Sequence, residues 1–324
     1  MQAAIIKKLD KAKTAEYAAT VVAEHFGGNV LSVKYLGGGS YGMVYKVVLD
    51  KSPYIAVAKA FKVNELYRIE AAGLIELRAS TTMKIPEVYF TYEKTDKIPV
   101  DFVCMEYIDA VNCLTHVAFL LNSKRKKLLF AEKVVDALLQ IHSKPHEKFG
   151  DILNPVYDKW LDYYRPFAED IKTTANELVK AGRLEAYIAD TLNAAYRQFD
   201  SIFSEEVKEA SLIHGDLNVM NIMSTKNQLE PVAFIDPLEP KYGDREYDLF
   251  QFNNLTGKCF GLYDMYKQKY AVSKNCDIKC AFYGLYNEVY VFIKTGAIVK
   301  LIMNPLIKNM KKQLKKLEAL QNMQ

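Results

Sequence analysis

His214-Gly215-Asp216 lies between apolar segments in the stretch LIHGDLNVMNIM, which begins at Leu212, and Asn221 follows Asp216 by five residues. A polar loop clasped in this way is usually a site rather than filler. An aspartate in a tight loop accepts a hydrogen bond from a substrate hydroxyl and takes its proton during transfer, and an asparagine five residues on returns its amide oxygen to a Mg²⁺ ion. His214 reads as a structural member of the loop. A second acid ends an apolar strand in Phe234-Ile235-Asp236-Pro237. Magnesium takes one or two protein oxygens and fills its remaining positions with phosphates and water, a demand that Asn221 and Asp236 meet as the metal pair.

Two further stretches suit an anionic ligand. Gly37-Gly38-Gly39-Ser40-Tyr41-Gly42-Met43-Val44 satisfies G-x-G-x-x-G-x-V. A dinucleotide-binding fingerprint would open a helix at this point, but Val44-Tyr45-Lys46-Val47-Val48 are strand formers. Strand, glycine loop and strand fit a flap over nucleotide phosphates, which places Gly37, Gly39, Ser40 and Gly42 among the nucleotide-binding residues. In Ala56-Val57-Ala58-Lys59-Ala60-Phe61 a single cation interrupts an apolar strand and must snorkel or meet anions. Glu70, in the middle of the following helical pattern, is the expected partner of Lys59, with Glu65 and Glu76 as alternatives; Lys62 is a rival cation beyond the strongest strand residues.

Elements to position these groups follow from periodicity. A helix is predicted over residues 14–26, strands over 30–36, 43–49 and 54–61, a helix over 65–77, and strands over 87–92 and 102–105. Helices dominate afterwards, one marked by Leu128, Val135, Leu138 and His142, one or two between Leu178 and Phe203, and several over 245–324. Short strands at Ser211–Ile213 and Val232–Ile235 flank the polar loops. The expected architecture is α+β in two lobes, an antiparallel-sheet lobe over residues 1–107 and a mainly helical lobe over 108–324, joined near Met105-Glu106-Tyr107-Ile108-Asp109.

Composition supports a globular protein, with 50% hydrophobic and 25% charged residues among 324. A net charge of +4 is too mild to indicate nucleic acid. The five cysteines lack CxxC spacing, which argues against a disulfide framework or a zinc site and for a reducing, cytoplasmic setting. The stretch MQAAIIKKLDKAK has no uninterrupted apolar run, so no secretory signal is expected. GLYNEVYVFIKTGAIVKLIM is broken by Asn287, Glu288, Lys294 and Lys300 and reads as a buried helix pair rather than a membrane span. The basic stretch Leu306–Met323 reads as a surface helix packed through Met310, Leu314 and Leu317, with a membrane-surface helix as the alternative.

Taken in order, the glycine loop, Lys59, Glu70, MEYI, HGDLNVMN and IDP resemble the aminoglycoside phosphotransferase-like kinases, which share the protein-kinase fold. YGDREYDL, RIEAAGLIEL and HEKFGD are most similar to the fructosamine kinase branch. The resemblance implies an ATP- and Mg²⁺-dependent transfer to a hydroxyl of a small molecule, with Asp216 as base, Asn221 and Asp236 on Mg²⁺, and Lys59 on the α- and β-phosphates, held by Glu70. It also implies adenine bonded to main-chain groups of Glu106 and Ile108, and Asp248 bracing the catalytic loop. IDP leads within a few residues to YGDREYDL without the DFG and APE boundaries of an activation loop, so no protein substrate is expected. Asn218 stands where fructosamine kinases commonly have tryptophan. Acids are few after Asp248 (Asp264, Asp277, Glu288 and Glu318), while Tyr263, Tyr266, Tyr283, Tyr286 and Tyr290 suit sugar rings. A sugar or ketosamine is therefore the expected acceptor. The alternatives are an aminoglycoside or macrolide kinase and a catalytically inactive nucleotide-binding module; a dinucleotide-dependent oxidoreductase lacks the required strand–helix order.

Overall fold

The computed structural model describes residues 8–113 and 123–322. Met323 of the predicted basic helix and the first seven residues of the N-terminal stretch lie outside them. The chain opens with α1 (Lys11–Phe26), β1 (Val30–Gly38), β2 (Gly42–Leu49), β3 (Ile55–Phe61), α2 (Leu66–Arg78), β4 (Val88–Tyr92) and β5 (Phe102–Glu106). Asp10 caps α1 by accepting from the Lys13 amide at 2.7 Å, which starts the helix before the predicted residue 14. Gly27, at φ 64°, ends it. The strands form one antiparallel sheet in the order β1-β2-β3-β5-β4.

Side-chain alternation on β3 decides what Lys59 faces. Ala56, Ala58 and Ala60 pack with Ala18, Val21 and Val22 of α1 on one side of the sheet. Val57 and Phe61 point the other way, into a core shared with α2 and the rest of the chain. Lys59 lies between them on that second side and projects toward α2.

After β5 comes β6 (Val111–Asn112), followed past residues 114–122 by α3 (Lys124–His142). Next are β7 (Pro145–His146), β8 (Phe149–Asp151), β9 (Asn154–Tyr157), α4 (Trp160–Lys180), α5 (Ala186–Arg197) and α6 (Phe199–Ile202). β10 (Ala210–Ile213), β11 (Ile222–Ser224), β12 (Pro231–Phe234) and β13 (Lys241–Gly243) carry the polar loops. The chain closes with α7 (Leu249–Phe252), α8 (Leu255–Phe260), α9 (Leu262–Lys269), α10 (Cys276–Thr295) and α11 (Lys300–Gln321). The helical region contains two small sheets, β7-β10-β13-β8-β9 and β12-β11-β6.

Two features depart from the predicted pattern. Strands β7 to β9 are two to four residues long, too short for alternation to register. Helix α4 begins at Trp160 and contains Pro166, which reads as a helix breaker. The buried stripe Trp160, Tyr164, Ala168, Ile171 and Ala175 holds the helix together across the proline. The apolar segment near residue 290 is a helix pair, α10 and α11, separated at Gly296. Met303, Ile307, Met310 and Leu314 bury α11, and its lysines 308, 311, 312, 315 and 316 face outward. No helix among the described residues is long and apolar enough to cross a membrane.

The sheet lobe meets the helical lobe through α2. Gly73 lies so close to Pro240 that a Cβ there would stand 2.1 Å from the proline Cγ. Glu76 bonds Lys144 at 2.7 Å and the Tyr242 hydroxyl at 3.2 Å across the same junction.

Candidate active site

β10 ends at Ile213, and the chain turns at once through His214-Gly215-Asp216. Gly215 adopts φ 84°, and a Cβ there would lie 2.0 Å from the Leu238 carbonyl oxygen, so only glycine fits. Asp248 holds this turn from below. Its carboxylate accepts the His214 and Gly215 amides, both at 2.8 Å, and His142 Nε2 at 3.2 Å. Burial alone pushes the Asp248 carboxyl up, but these donors outweigh it and hold the group below the usual carboxylate range. Burial lowers His142, so its neutral ring donates Nε2–H to Asp248 while Nδ1 accepts from the Tyr266 hydroxyl at 2.8 Å.

Asp216 is half-buried at the head of the loop. Its carboxylate accepts Asn218 Nδ2 at 3.0 Å, Asn221 Nδ2 at 3.2 Å and Gln251 Nε2 at 2.5 Å. Burial pushes its carboxyl up to about 7, with the hydrogen bonds from Asn218 and Asn221 acting against that rise. Asn218 also caps the short turn over Val219–Asn221 by accepting from the Met220 amide at 2.8 Å. Neither Gln251 nor this use of Asn218 is visible in local sequence. Gln251 lies 35 residues away and is held in turn by Asn254 at 2.7 Å.

Asn221 and Asp236 are brought together by the pairing of β11 with β12, which sets Ile222 opposite Phe234. Asn221 Nδ2 donates to the Asp216 carbonyl at 2.7 Å, while its amide oxygen accepts nothing among the described residues. Asp236 is exposed, has φ 59°, and ion-pairs with Lys59. Lys59 also meets Glu70 at 2.6 Å, so Glu70 rather than Glu65 or Glu76 is its helix partner. Burial disfavours the Lys59 charge, but Asp236 and Glu70 outweigh it and hold the ammonium above its ordinary value. Lys62 instead donates to the Gly39 carbonyl at 2.7 Å.

Between the lobes is a cleft of about 300 Å³ lined by Val57, Lys59, Met105, Glu106, Ile108 and Asp236, among others. The Glu106 amide donates to the Glu87 carbonyl at 2.8 Å, so its main chain can offer a planar ligand only its carbonyl. The glycine loop is a hairpin between β1 and β2. Added Cβ atoms at Gly37 and Gly39 would meet open space, whereas at Gly42 one would lie 2.7 Å from the Ala60 carbonyl oxygen. The glycines therefore serve two ends, open room at the tip and close backbone approach at the base. Ser40 lies at the exposed tip.

The expected acceptor tyrosines divide. Tyr263, Tyr266, Tyr283 and Tyr286 are core residues whose hydroxyls bond Asp277, His142, Asp244 and the Leu192 carbonyl. Tyr290 alone of the five turns to the loop after Asp236, where its hydroxyl donates to Glu239. Glu239 precedes Asp248 and so stands apart from the later acids Asp264, Asp277, Glu288 and Glu318. It lies within electrostatic reach of Tyr41, Tyr163 and Tyr247.

The fructosamine kinase family model matches residues 14–309. A probable ketoamine kinase of Staphylococcus aureus (strain NCTC 8325 / PS 47) is 24% identical over 285 residues, covering 84% of this chain and 90% of the relative. Among solved structures, a putative fructosamine-3-kinase from Haemophilus somnus 129PT superposes with a TM-score of 0.62 at 17% identity, covering 92% of this chain and 96% of that one. An ADP-bound aminoglycoside phosphotransferase gives a TM-score of 0.59 at 16% identity, covering 94% and 97%. At these identities the structural likeness speaks for the fold, a two-lobed protein-kinase-like one.

Proposed function

This chain belongs to the fructosamine kinase family and is a small-molecule kinase acting on ketosamines or sugars; from that premise we propose that it moves the γ-phosphate of ATP to a hydroxyl of a ketosamine, with Asp216 as the base. The observation that carries this reading is the paired arrangement across the cleft. On one side Asp248 fixes the turn that carries Asp216; on the other, Glu70 and Asp236 hold Lys59 between the lobes.

Asp216 takes the proton of the acceptor hydroxyl as its oxygen attacks the γ-phosphorus, and the bond to the bridging oxygen breaks to release ADP. Asn218, Asn221 and Gln251 point N–H groups at its two oxygens and set its orientation. Lys59 contacts the nucleotide phosphates, and the open tip at Gly37, Gly39 and Ser40 with the base at Gly42 covers them. The Glu106 carbonyl and the Ile108 amide, both on residues that line the cleft, would hold the adenine. The donor set suits Mg²⁺, because the Asn221 amide oxygen is unengaged and the exposed Asp236 carboxylate follows it across one strand pair. When bound, the ion neutralises charge on the transferring phosphate. No activation-loop boundaries follow Asp236, which supports a small acceptor over a protein. Among the described residues no disulfide joins any of the five cysteines, in keeping with the cytoplasmic setting we assign.

Phosphate transfer from ATP with Mg²⁺ tests the reading. A fructose-derived ketosamine should be phosphorylated faster than kanamycin- or neomycin-like aminoglycosides. Turnover of aminoglycosides alone would reject the acceptor assignment, and no turnover of any acceptor would favour an inactive nucleotide-binding module.

A further inference from the structure

Among the described residues three lysines are buried, Lys59, Lys241 and Lys279. Two are held by pairs of carboxylates, Lys59 by Glu70 and Asp236, and Lys279 by Asp244 at 2.6 Å and Glu246 at 2.8 Å. Lys241 is 3% exposed, yet no ion pair among the described residues includes it. Its ammonium lies over aromatic rings, 5.3 Å from the centroid of Tyr247 and 5.9 Å from those of Tyr163 and Phe167. Asp151, its partner across β8, instead accepts the Tyr163 hydroxyl at 2.6 Å. Ring faces replace only part of the hydration that a buried ammonium gives up.

The position fits an acceptor. Lys241 pairs with Ile213, the strand residue from which the loop to Asp216 departs. Two residues earlier in the same stretch stands Glu239, which receives the Tyr290 hydroxyl and, like Lys241, has no ion-pair partner among the described residues. Phe167 and Tyr290 pack at 5.1 Å and link the surroundings of the two charges. From the glycine loop comes Tyr41, whose buried hydroxyl has no hydrogen-bond partner among the described residues and lies within electrostatic reach of Glu239 and Asp216. Among the described residues, one unpaired cation and one unpaired carboxylate thus share the surroundings of Tyr163 and Tyr247, and one unpartnered hydroxyl lies within electrostatic reach of that carboxylate and of the base.

We propose that Lys241 binds a carboxylate and Glu239 the adjacent ammonium of the acceptor, which makes the preferred acceptor a ketosamine built on the α-amino group of a free amino acid. In such a compound the secondary ammonium and the carboxylate flank one carbon, and the sugar hydroxyls extend from the ammonium toward Asp216. A ketosamine on a lysine side chain of a protein has the ammonium without the neighbouring carboxylate and leaves Lys241 unmatched. The inference rests on the ketosamine kinase reading above and adds the acceptor's second charge.

The test compares kcat/KM for the fructose-derived ketosamines of glycine and of glycinamide, which differ in that one charge. A charge-assisted contact predicts a preference of roughly tenfold to a hundredfold for the glycine compound in the unaltered enzyme. In Lys241→Met that ratio should fall to near one, and Lys241→Arg should keep most of it. Equal kcat/KM values in the unaltered enzyme overturn the inference while leaving the kinase reading in place, and need no variant to fold. A ratio that persists in Lys241→Met also overturns it. Absence of turnover with both compounds overturns the ketosamine acceptor reading, and this inference with it.

Discussion

Asp248 is fully buried and charged, a combination tolerable only because two amides and one imidazole donate to it. Asp248→Asn presents an NH₂ group to one of those donors, leaving two donors facing each other. The expected cost is about 2–4 kcal/mol at pH 7, in the range for breaking a buried charged network. The pH dependence has a fixed sign. The folded carboxyl lies below its unfolded value, so its contribution is present above the unfolded pKa, near 3.9, and is lost as pH falls through the folded one. The stability gap between wild type and Asp248→Asn, read by urea titration, should therefore be constant from pH 8 to 5 and close below about 4. A gap that widens on acidification would contradict the proposed donor network. Asp216→Asn addresses chemistry instead. It should lower kcat by roughly two to four orders of magnitude with nucleotide affinity kept, the usual worth of a positioned base. Near-normal turnover in the folded variant would remove Asp216 from that role.

At the scale of elements, α2 carries Glu70 to Lys59 and seats Gly73 on Pro240. Ala in place of Gly73 gains about 1 kcal/mol of helix propensity. Against that, its methyl group meets a rigid proline ring at 2.1 Å, and overpacking of this kind costs about 1–3 kcal/mol. The clash wins, and α2 must move away, taking Glu70 with it. Gly73→Ala should raise KM for ATP several-fold and lower stability by about 1 kcal/mol; an unchanged KM would show that α2 tolerates the shift without disturbing Lys59. What the sequence revealed here, and what it did not, follows from range. Lys59 was legible because alternation along β3 fixes its face, and the loop residues 214–221 because a turn constrains its own spacing. The Gly73–Pro240 seat, the Gln251–Asp216 bond and the unpaired Lys241 join distant segments, and no local pattern encodes them. The tyrosines of α10 misled for the same reason. A tyrosine on a mainly buried helix reads alike whether its hydroxyl meets Asp244 or Glu239.

The whole molecule consists of two lobes whose junction contains the cleft proposed for the nucleotide, and Lys59 and Asp236 face each other across it. In the ligand-free protein Asp236 serves as a counter-charge to Lys59. Under the proposed assignment the nucleotide phosphates would offer Lys59 new anions, and Asp236 would need a cation of its own, the role proposed for Mg²⁺. Nucleotide and metal should therefore bind interdependently and tie the lobes together. A ligand at a hundred times its Kd stabilises the folded state by about 2.7 kcal/mol. With an unfolding entropy of about 2.1 cal/mol/K per residue, the 324-residue chain loses about 0.7 kcal/mol per degree near its midpoint. A non-hydrolysable ATP analogue with Mg²⁺ should accordingly raise Tm by about 4 °C, and removing the metal with chelator should abolish most of the shift. Asp236→Ala separates the two contributions. Its side chain is exposed, so the fold should survive, yet the metal-dependent part of the shift should vanish. If the variant and the wild type gain the same Tm from the Mg²⁺ complex, Asp236 is a counter-charge to Lys59 and nothing more, and the metal must be sought elsewhere in the cleft.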